Sequence, residues 1–457
     1  MSDEGLRAGV EKMRSAGVAD AAIRAFEHYY RQLEAGETGL VPEDSIEPAT
    51  AVTEFDELEH DPDAEREALQ KAIVLRLNGG LGTSMGLTGA KSLLEAKDGH
   101  SFLDIIARQV LALRAEHGAR LPLVLMDSFS TREDSLKALA KHPEIDAGLP
   151  LDFVQNKEPK LRVDDLTPVE WPKDPSLEWC PPGHGDLYTA LVTSGMLQTL
   201  LDEGFEYAFV ANSDNLGAVL DPRILAWLRK HEIPFAMEVT DRTEADRKGG
   251  HLAVRRSDGR LVLRETAQTP KEDLEALQDI DRHRYVNTNN LWVDLRALDD
   301  AMRDGFLKLP MIRNEKTVDP ADKSSPAVYQ LETAMGAAIE LFEGARALRV
   351  PRTRFAPVKT TDDLLALRSD AYELTDDARV VLRRDSVPYV ALDSDHYKLL
   401  RDFEERFPAG PPSLVDCDRF VVEGDVRFGA GVVARGEVLV RGPRTIEDGA
   451  VLGPAGD

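Results

Sequence analysis

Apolar residues Leu6, Val10, Met13, Val18, Ile23, Phe26, Tyr30 and Leu33 recur at spacings of three to five, which predicts helical packing over residues 3–35. The acidic, proline-containing stretch 36–65 breaks that periodicity and reads as a connection running over the surface. From Lys71 the pattern changes. Short β-rich runs at 73–77, 121–126, 151–154, 207–211 and 235–240 alternate with helical stretches near 101–116, 131–141, 186–202 and 221–231. This alternation predicts an α/β, Rossmann-like fold with a mixed, mainly parallel sheet between helices. Such sheets bind ligands beyond the carboxyl ends of their strands, and the Gly- and Asn-rich segments begin at those ends. A hairpin is expected at 251–265 around the Ser257-Asp258-Gly259 turn. Past Ala409 helix formers give way to Val and Gly. Phe420, Val426, Val432 and Val438 are spaced by six, and so are Val440, Ile446 and Leu452. Hexads of this kind predict about two coils of a small left-handed β-helix, with a β-meander as the alternative. The expected organisation is an N-terminal helical segment and connection (1–66), a central domain (67–375) and a C-terminal domain ending in the β-helix (376–457).

With 457 residues and 42% hydrophobic content, the chain exceeds what one core normally holds, in keeping with several units. Its 82 acidic and 56 basic side chains leave a formal charge of -26, which repels nucleic acid and anionic lipid, so neither is expected as a partner. A site for a polyphosphate must then gather positive charge locally, from individual Lys side chains, backbone N–H groups and a metal. The two cysteines, Cys180 and Cys417, have no C-x-x-C spacing and support neither a disulfide framework nor a zinc site. The charged N-terminus has no apolar core of a signal peptide, and no apolar run reaches the length of a membrane span. A cytoplasmic location is expected.

The densest chemical signal follows the first strand of the central domain, in AIVLRLNGGLGTSMGLTGAKS (72–92), with glycines at 79, 80, 82, 86 and 89 before Lys91. Glycine lets backbone N–H groups approach phosphates and base edges without a Cβ in the way. A dinucleotide fingerprint is excluded because Met85 stands where its third Gly belongs. A Walker A loop is excluded because Ala90, not Gly, precedes the Lys. What remains is a loop able to hold a nucleotide, with Lys91 placed to meet a phosphate.

NGGLGTSMG followed by GAKS resembles the signature of the UDP-glucose pyrophosphorylase family of the eukaryotic type, in which this loop holds uracil and the triphosphate. The related UDP-N-acetylglucosamine pyrophosphorylases carry Arg-Leu where Ser84-Met85 stand here, so the resemblance favours glucose. Ala90 departs from the Pro usual in the family. The similarity continues through PPGHGDLYTAL (181–191), VANSDNLGAVLD (210–221), KGGHLAVRR (248–256), VNTNNLWVDL (286–295) and the segment 330–365. It covers about residue 44 to about residue 372.

The resemblance implies a nucleotidyltransferase that joins UTP to glucose 1-phosphate with Mg²⁺, giving UDP-glucose and pyrophosphate. It places Leu77, Asn78, Gly79, Gly80, Lys91, Gln155, Gly183, Asp214 and Lys359 around UTP. His184, Asn212, Gly250, Glu265, Asn287 and Asn289 would hold the sugar phosphate, Asp214 the metal, and Lys91 and Lys359 would be catalytic. Physical readings stand beside these. The Gln155 amide supplies both donor and acceptor for a uracil edge, although QNKEPK departs from the aromatic, Arg-containing context usual in the family. From the residues alone, Asp186 could be a helix N-cap, Asp214 part of a turn capping the helix from Asp221, and Glu265 and Lys359 solvated side chains. No side-chain nucleophile is required, since a phosphate monoester is largely dianionic near neutral pH, its second pKa being about 6. The rival readings are the same chemistry on N-acetylglucosamine or galactose 1-phosphate, and a non-catalytic UDP-sugar sensor. An exposed β-helix end could pair subunits into a homo-oligomer.

Overall fold

In the computed structural model, which describes residues 2–454, the central sheet has eleven strands. In chain order they are β1 (Ile46–Pro48), β2 (Thr53–Glu54), β3 (Ala72–Leu77), β4 (Leu123–Asp127), β5 (Asp152–Val154), β6 (Tyr207–Asn212), β7 (Phe235–Asp241), β8 (His251–Arg255), β9 (Leu261–Arg264), β10 (Tyr285–Asp294) and β11 (Arg346–Arg349). The main path runs β2-β11-β7-β10-β6-β3-β4-β5, with the β8–β9 hairpin and β1 branching from it. Neighbours pair in parallel except at β10, which is antiparallel to both β6 and β7. The run AIVL in β3 is apolar throughout because helices cover both faces. Val74 faces one core, with the helices Phe102–His117 and Pro222–Lys230, while Ile73 and Leu75 face the other, with Asp186–Thr193 and Met196–Asp202.

Several expectations shift. Residues 3–35 form a hairpin of two helices, Ser2–Ser15 and Asp20–Glu34, with Phe26 and Tyr30 packed on Leu161, Met311 and Leu331 of a separate three-stranded sheet. The helical stretch 186–202 breaks at Gly195, whose φ of 76° lies in the left-handed region. The stretch 36–65 is more than a connection: it supplies β1, β2 and the start of the helix Pro62–Leu69, whose N-cap Asp61 accepts from the N–H groups of Asp63 and Ala64. The strands β10 and β11 were not expected, since the run Asn287-Thr288-Asn289-Asn290 hides the apolar signal of β10. The expected hairpin is present, turning at Gly259 with φ 72°.

Beyond residue 409 the strands pair in parallel. Phe420 faces Val438, Phe428 faces Ile446 and Val433 faces Val451, each pair 18 residues or three hexads apart. The hexad positions Phe420, Val426, Val432 and Val438 are buried. They join one apolar cluster with Tyr397 and with Leu364 and Leu365 of the helix Thr361–Arg368. The outer ends of the expected first and last domains, residues 1 and 455–457, lie outside the described residues.

Glu43, in the stretch read as a connection, is bound by Arg264, Arg282 and His283, the last two at 2.8 and 2.9 Å. His283 stacks on His251 with ring centroids 3.9 Å apart, both rings buried. Burial holds both imidazoles below their usual value, most strongly His251, where the neighbouring His283 adds to the effect. Because the unfolded chain binds these protons more readily, the stack stabilises the fold fully above pH about 6.5, and that contribution is lost as pH falls toward the folded-state values. Buried carboxyls such as Asp186, raised to about 7, act in the opposite sense, so the stack is isolated by comparison with a variant. In His251→Phe, which keeps a stacked ring that cannot protonate, stability measured by urea unfolding should depend less steeply on pH below 6.5. The difference should approach 1.4 kcal/mol per pH unit, about one proton's worth. Equal slopes in the two proteins would show that the stack does not titrate.

Candidate active site

Of the residues expected around UTP, Leu77, Asn78, Gly79, Gly80, Lys91, Gln155, Gly183 and Asp214 line one cleft of about 300 Å³ near the carboxyl ends of β3, β5 and β6. His184 and Asn212, which were expected at the sugar phosphate, line it with them; Lys359 is not part of this lining. A Cβ on Gly79 would stand 2.9 Å from Oε1 of Gln155, so only a bare backbone lets the Gln155 amide lie against the loop. The backbone N–H of Gln155 donates to the Asp127 carbonyl at 2.9 Å. Asn78 departs from expectation in one respect. Its backbone lines the cleft, but its amide turns inward and donates to Asp127 and to Ser135, both at 2.7 Å. Burial raises the Asp127 carboxyl to about 6.

Lys91 returns to the loop through its own N–H, which donates to the Gly80 carbonyl at 3.0 Å. Its ammonium donates to Oδ2 of Asp214 at 2.8 Å and to the Val358 carbonyl. Asp214 therefore does not cap the next helix; Asp221 does, accepting from the N–H of Arg223 at 3.0 Å. The second oxygen of Asp214 is buried and has no protein partner. The same holds for the hydroxyls of Ser92 and Ser213, which also line the cleft. These two serines were missed in the sequence, although each adjoins a residue singled out there, Lys91 or Asp214. Buried polar atoms are normally satisfied, so three orphans at one cleft indicate groups arranged for a ligand. For a magnesium ion the donor set fits: Mg²⁺ usually takes one or two protein carboxylates and completes its octahedron with phosphate oxygens and water.

On the opposite wall, Gly183 has a φ of 80° and lies so close to Thr333 that a Cβ would stand 2.6 Å from its carbonyl oxygen. The turn holds His184 with Nδ1 accepting from the Met335 N–H at 3.0 Å. Burial, and after it the charge of Lys359, lowers this imidazole to about 4. It is therefore neutral at pH 7 with its proton on Nε2, a donor without a charge. Asp186 is no N-cap: Gly185 occupies that position, and the Asp186 carboxylate accepts from the N–H and amide of Asn156 at 2.6 and 2.8 Å. Cys180 is buried, which pushes its thiol well up, away from nucleophilic reactivity.

Gly250, Glu265, Asn287 and Asn289 form a second group outside the lining of that cleft. Gly250 lets the Glu265 carboxylate lie over the backbone, where a Cβ would come within 2.6 Å of its carboxyl carbon. The Gly250 carbonyl accepts from the N–H of Asn287 at 3.1 Å. Asn287 and Asn289 interlock, amide to amide oxygen and backbone N–H to amide oxygen, both at 2.9 Å. Asn289 adopts φ 58° to do so. Burial raises the Glu265 carboxyl, and the charge of Lys359 opposes this. Lys359 is exposed, and among the described residues its ammonium has no hydrogen-bond or ion-pair partner. Its charge acts on both His184 and Glu265, one residue from each group.

Comparison with known proteins agrees with this geometry. The sequence model of the family described as UTP--glucose-1-phosphate uridylyltransferase matches residues 23–435. The UTP--glucose-1-phosphate uridylyltransferase of Solanum tuberosum is 41% identical over 422 residues, covering 90% of this chain and 84% of that protein. The UDP-glucose pyrophosphorylase of Leishmania major, solved in open and closed structures, superposes with a TM-score of 0.94 at 48% identity, covering 99% of this chain and 98% of that one. A mutant of the same Leishmania enzyme in complex with UDP-glucose gives a TM-score of 0.93 at 48% identity, with the same coverage. A glycine loop backed by Lys91, Asp214 and His184, a match over most of the length and a shared fold lead to one assignment: this chain belongs to the UTP–glucose-1-phosphate uridylyltransferase family.

Proposed function

We infer that this chain transfers the uridylyl group of UTP to glucose 1-phosphate, giving UDP-glucose and pyrophosphate. The observation that carries the reading is the cleft in which Gly79 and Gln155 form a slot of backbone and amide beside the Lys91–Asp214 pair. Gln155 and the Leu77 to Gly80 backbone would hold uracil, and Gly183 would close over the nucleotide. A phosphate oxygen of the sugar attacks the α-phosphorus of UTP in line, and the bond to pyrophosphate breaks. Catalysis then rests on positioning and charge. Lys91 and Lys359 offset the repulsion between two anionic substrates. His184, neutral, donates Nε2–H to the sugar phosphate. Asn212, with Glu265, Asn287, Asn289 and the Gly250 backbone, would read the hydroxyls of the ring. Asp214 would hold Mg²⁺, which when bound neutralises phosphate charge.

The expected division at residues 66 and 375 is retained as a proposal, and the 18-residue coil supports reading the C-terminal unit as a left-handed β-helix. Its last coil leaves Val451 60% exposed, a surface through which subunits could pair. The two free, buried thiols support a reducing, cytoplasmic setting, and the charge of -26 argues against nucleic-acid partners.

The test mixes the protein with Mg²⁺, each nucleoside triphosphate and a panel of sugar 1-phosphates, and measures pyrophosphate release. UTP with glucose 1-phosphate should exceed every other pair, because a purine would leave buried polar groups unpaired at about 1–3 kcal/mol each. Faster release with N-acetylglucosamine 1-phosphate would change the substrate. No release from any pair, with UDP-glucose still bound, would leave a sensor.

A further inference from the structure

We propose that Asn215 and the buried Glu238–Arg354 ion pair are positioning residues, which fix Lys359 and Asp214 in one mutual arrangement without touching substrate. The proposal rests on the uridylyl-transfer reading above. Glu238 lies mid-strand in β7 and is fully buried. Four N–H donors fill its two oxygens: Arg354 Nη2 at 2.6 Å and Trp292 Nε1 at 2.9 Å on Oε1, Arg354 Nε at 2.9 Å and Asn290 Nδ2 at 3.0 Å on Oε2. A buried pair of this kind is a poor device for stability, because desolvation consumes much of the attraction, whereas its directionality holds a geometry.

What it holds is the chain leading to Lys359. The Arg354 carbonyl accepts from Asn215 Nδ2 at 3.1 Å and from Asn290 Nδ2 at 3.3 Å. The amide oxygen of Asn215 accepts from the Ala356 N–H at 3.0 Å. One residue before Asn215, the Asp214 carbonyl accepts from the Val358 N–H at 3.1 Å, and Lys359 follows Val358 directly. Asn215, only 1% exposed, thus ties the metal-side loop to the lysine-side segment by both ends of one amide. The two segments also pack closely, since a Cβ on Gly217 would stand 3.0 Å from the carbonyl carbon of Arg354. The same carboxylate-bearing residue sets the sugar side. The β7–β10 register slips between Met237 and Val239, opposite the bulge that carries Asn289, and the Thr288 hydroxyl donates to the Glu238 carbonyl at 2.7 Å.

A residue that acts through Lys359 must lose its effect when Lys359 is gone, so the test is a double-mutant cycle. In Asn215→Ala, kcat for pyrophosphate release should fall about 10- to 100-fold, the scale of a misplacement near 1 Å. KM for both substrates should change less than about threefold, as expected for an interaction expressed in the transition state. In the Lys359→Ala background the same substitution should lower kcat less than about twofold. Melting curves run alongside establish that each variant is folded. If Asn215→Ala does not fold, Asn215→Ser, which keeps a single hydroxyl, is put through the same cycle. An equal fall in both backgrounds, or unchanged kcat in a folded variant, would overturn the proposal. Wild-type release, measured in the same experiment, reports on the functional reading independently.

Discussion

Lys359→Ala is expected to lower turnover by at least about two orders of magnitude, the scale of losing one preorganised electrostatic contact, while leaving the melting temperature nearly unchanged. The separation of the two effects follows from the structure. Lys359 is exposed, and among the described residues its ammonium is bound to nothing, so no packing and no ion pair is lost on truncation. Its helix is capped independently, by Thr360 with Asp363. Its charge nevertheless acts on His184 and on Glu265, which belong to the two halves of the site. Lys91, which lines the cleft, already serves Asp214 and the Val358 carbonyl. In a chain of charge -26 no surplus of positive field compensates for losing an ammonium left available for phosphate. Steady-state turnover and a melting curve on the purified variant check this, and near-normal turnover would remove Lys359 from the mechanism. Lys91→Ala should lose activity on the same scale but also lower the melting temperature, since it breaks contacts that join three segments.

Asp214→Ala is expected to abolish most magnesium-dependent turnover, again by about two orders of magnitude or more. Two features of its environment motivate this. One carboxylate oxygen is engaged by Lys91 at 2.8 Å, and the other, on a residue that lines the cleft, is buried without a partner. A half-satisfied carboxylate beyond a strand end is costly unless a ligand completes it. The substitution also leaves the Lys91 ammonium without its counter-charge, so a modest fall in melting temperature should accompany the loss. Turnover across a magnesium titration is one readout. The rise in melting temperature caused by Mg²⁺ together with UTP is a second that does not depend on catalysis, and it should be present in the wild type and absent in the variant. A variant that matches wild type at low magnesium would show that Asp214 is not a metal ligand.

Much of the site was legible in the sequence because its parts are local. A glycine loop after an apolar strand, and an acidic residue after another, need only a strand end and a backbone free of Cβ atoms to acquire their meaning. That is why Gly79, Lys91 and Asp214 could be read from the residues, whereas His184 rested on the family resemblance; the four meet in one cleft. The hexads beyond residue 409 were equally local, and the parallel strands there pair 18 residues apart. Other features are set by partners that lie far along the chain. Asn78, expected around UTP, lines the cleft, but its amide donates to Asp127 and Ser135. The polar run of β10 carries no apolar alternation to mark its bounds, and only Glu238 and Arg354, distant in sequence, satisfy the Asn290 amide inside the sheet. Residues 36–65 looked like a surface connection because nothing nearby pairs with Glu43 or with Ile46–Pro48, whose partners stand some two hundred residues away.

The sequence alone thus determined the α/β alternation, the nucleotide loop and the charges available for phosphate, each set by periodicity, by glycine's freedom or by composition. Only the tertiary structure decided which side chains remain free to meet a ligand. A titratable or amide group is used up by whatever donor or acceptor folding brings within about 3 Å of it, and that pairing is a property of the packed chain. So Asp214 keeps one oxygen open while Asp221 becomes a cap, and Lys359 stays unpaired while Arg354, five residues earlier, is buried on Glu238.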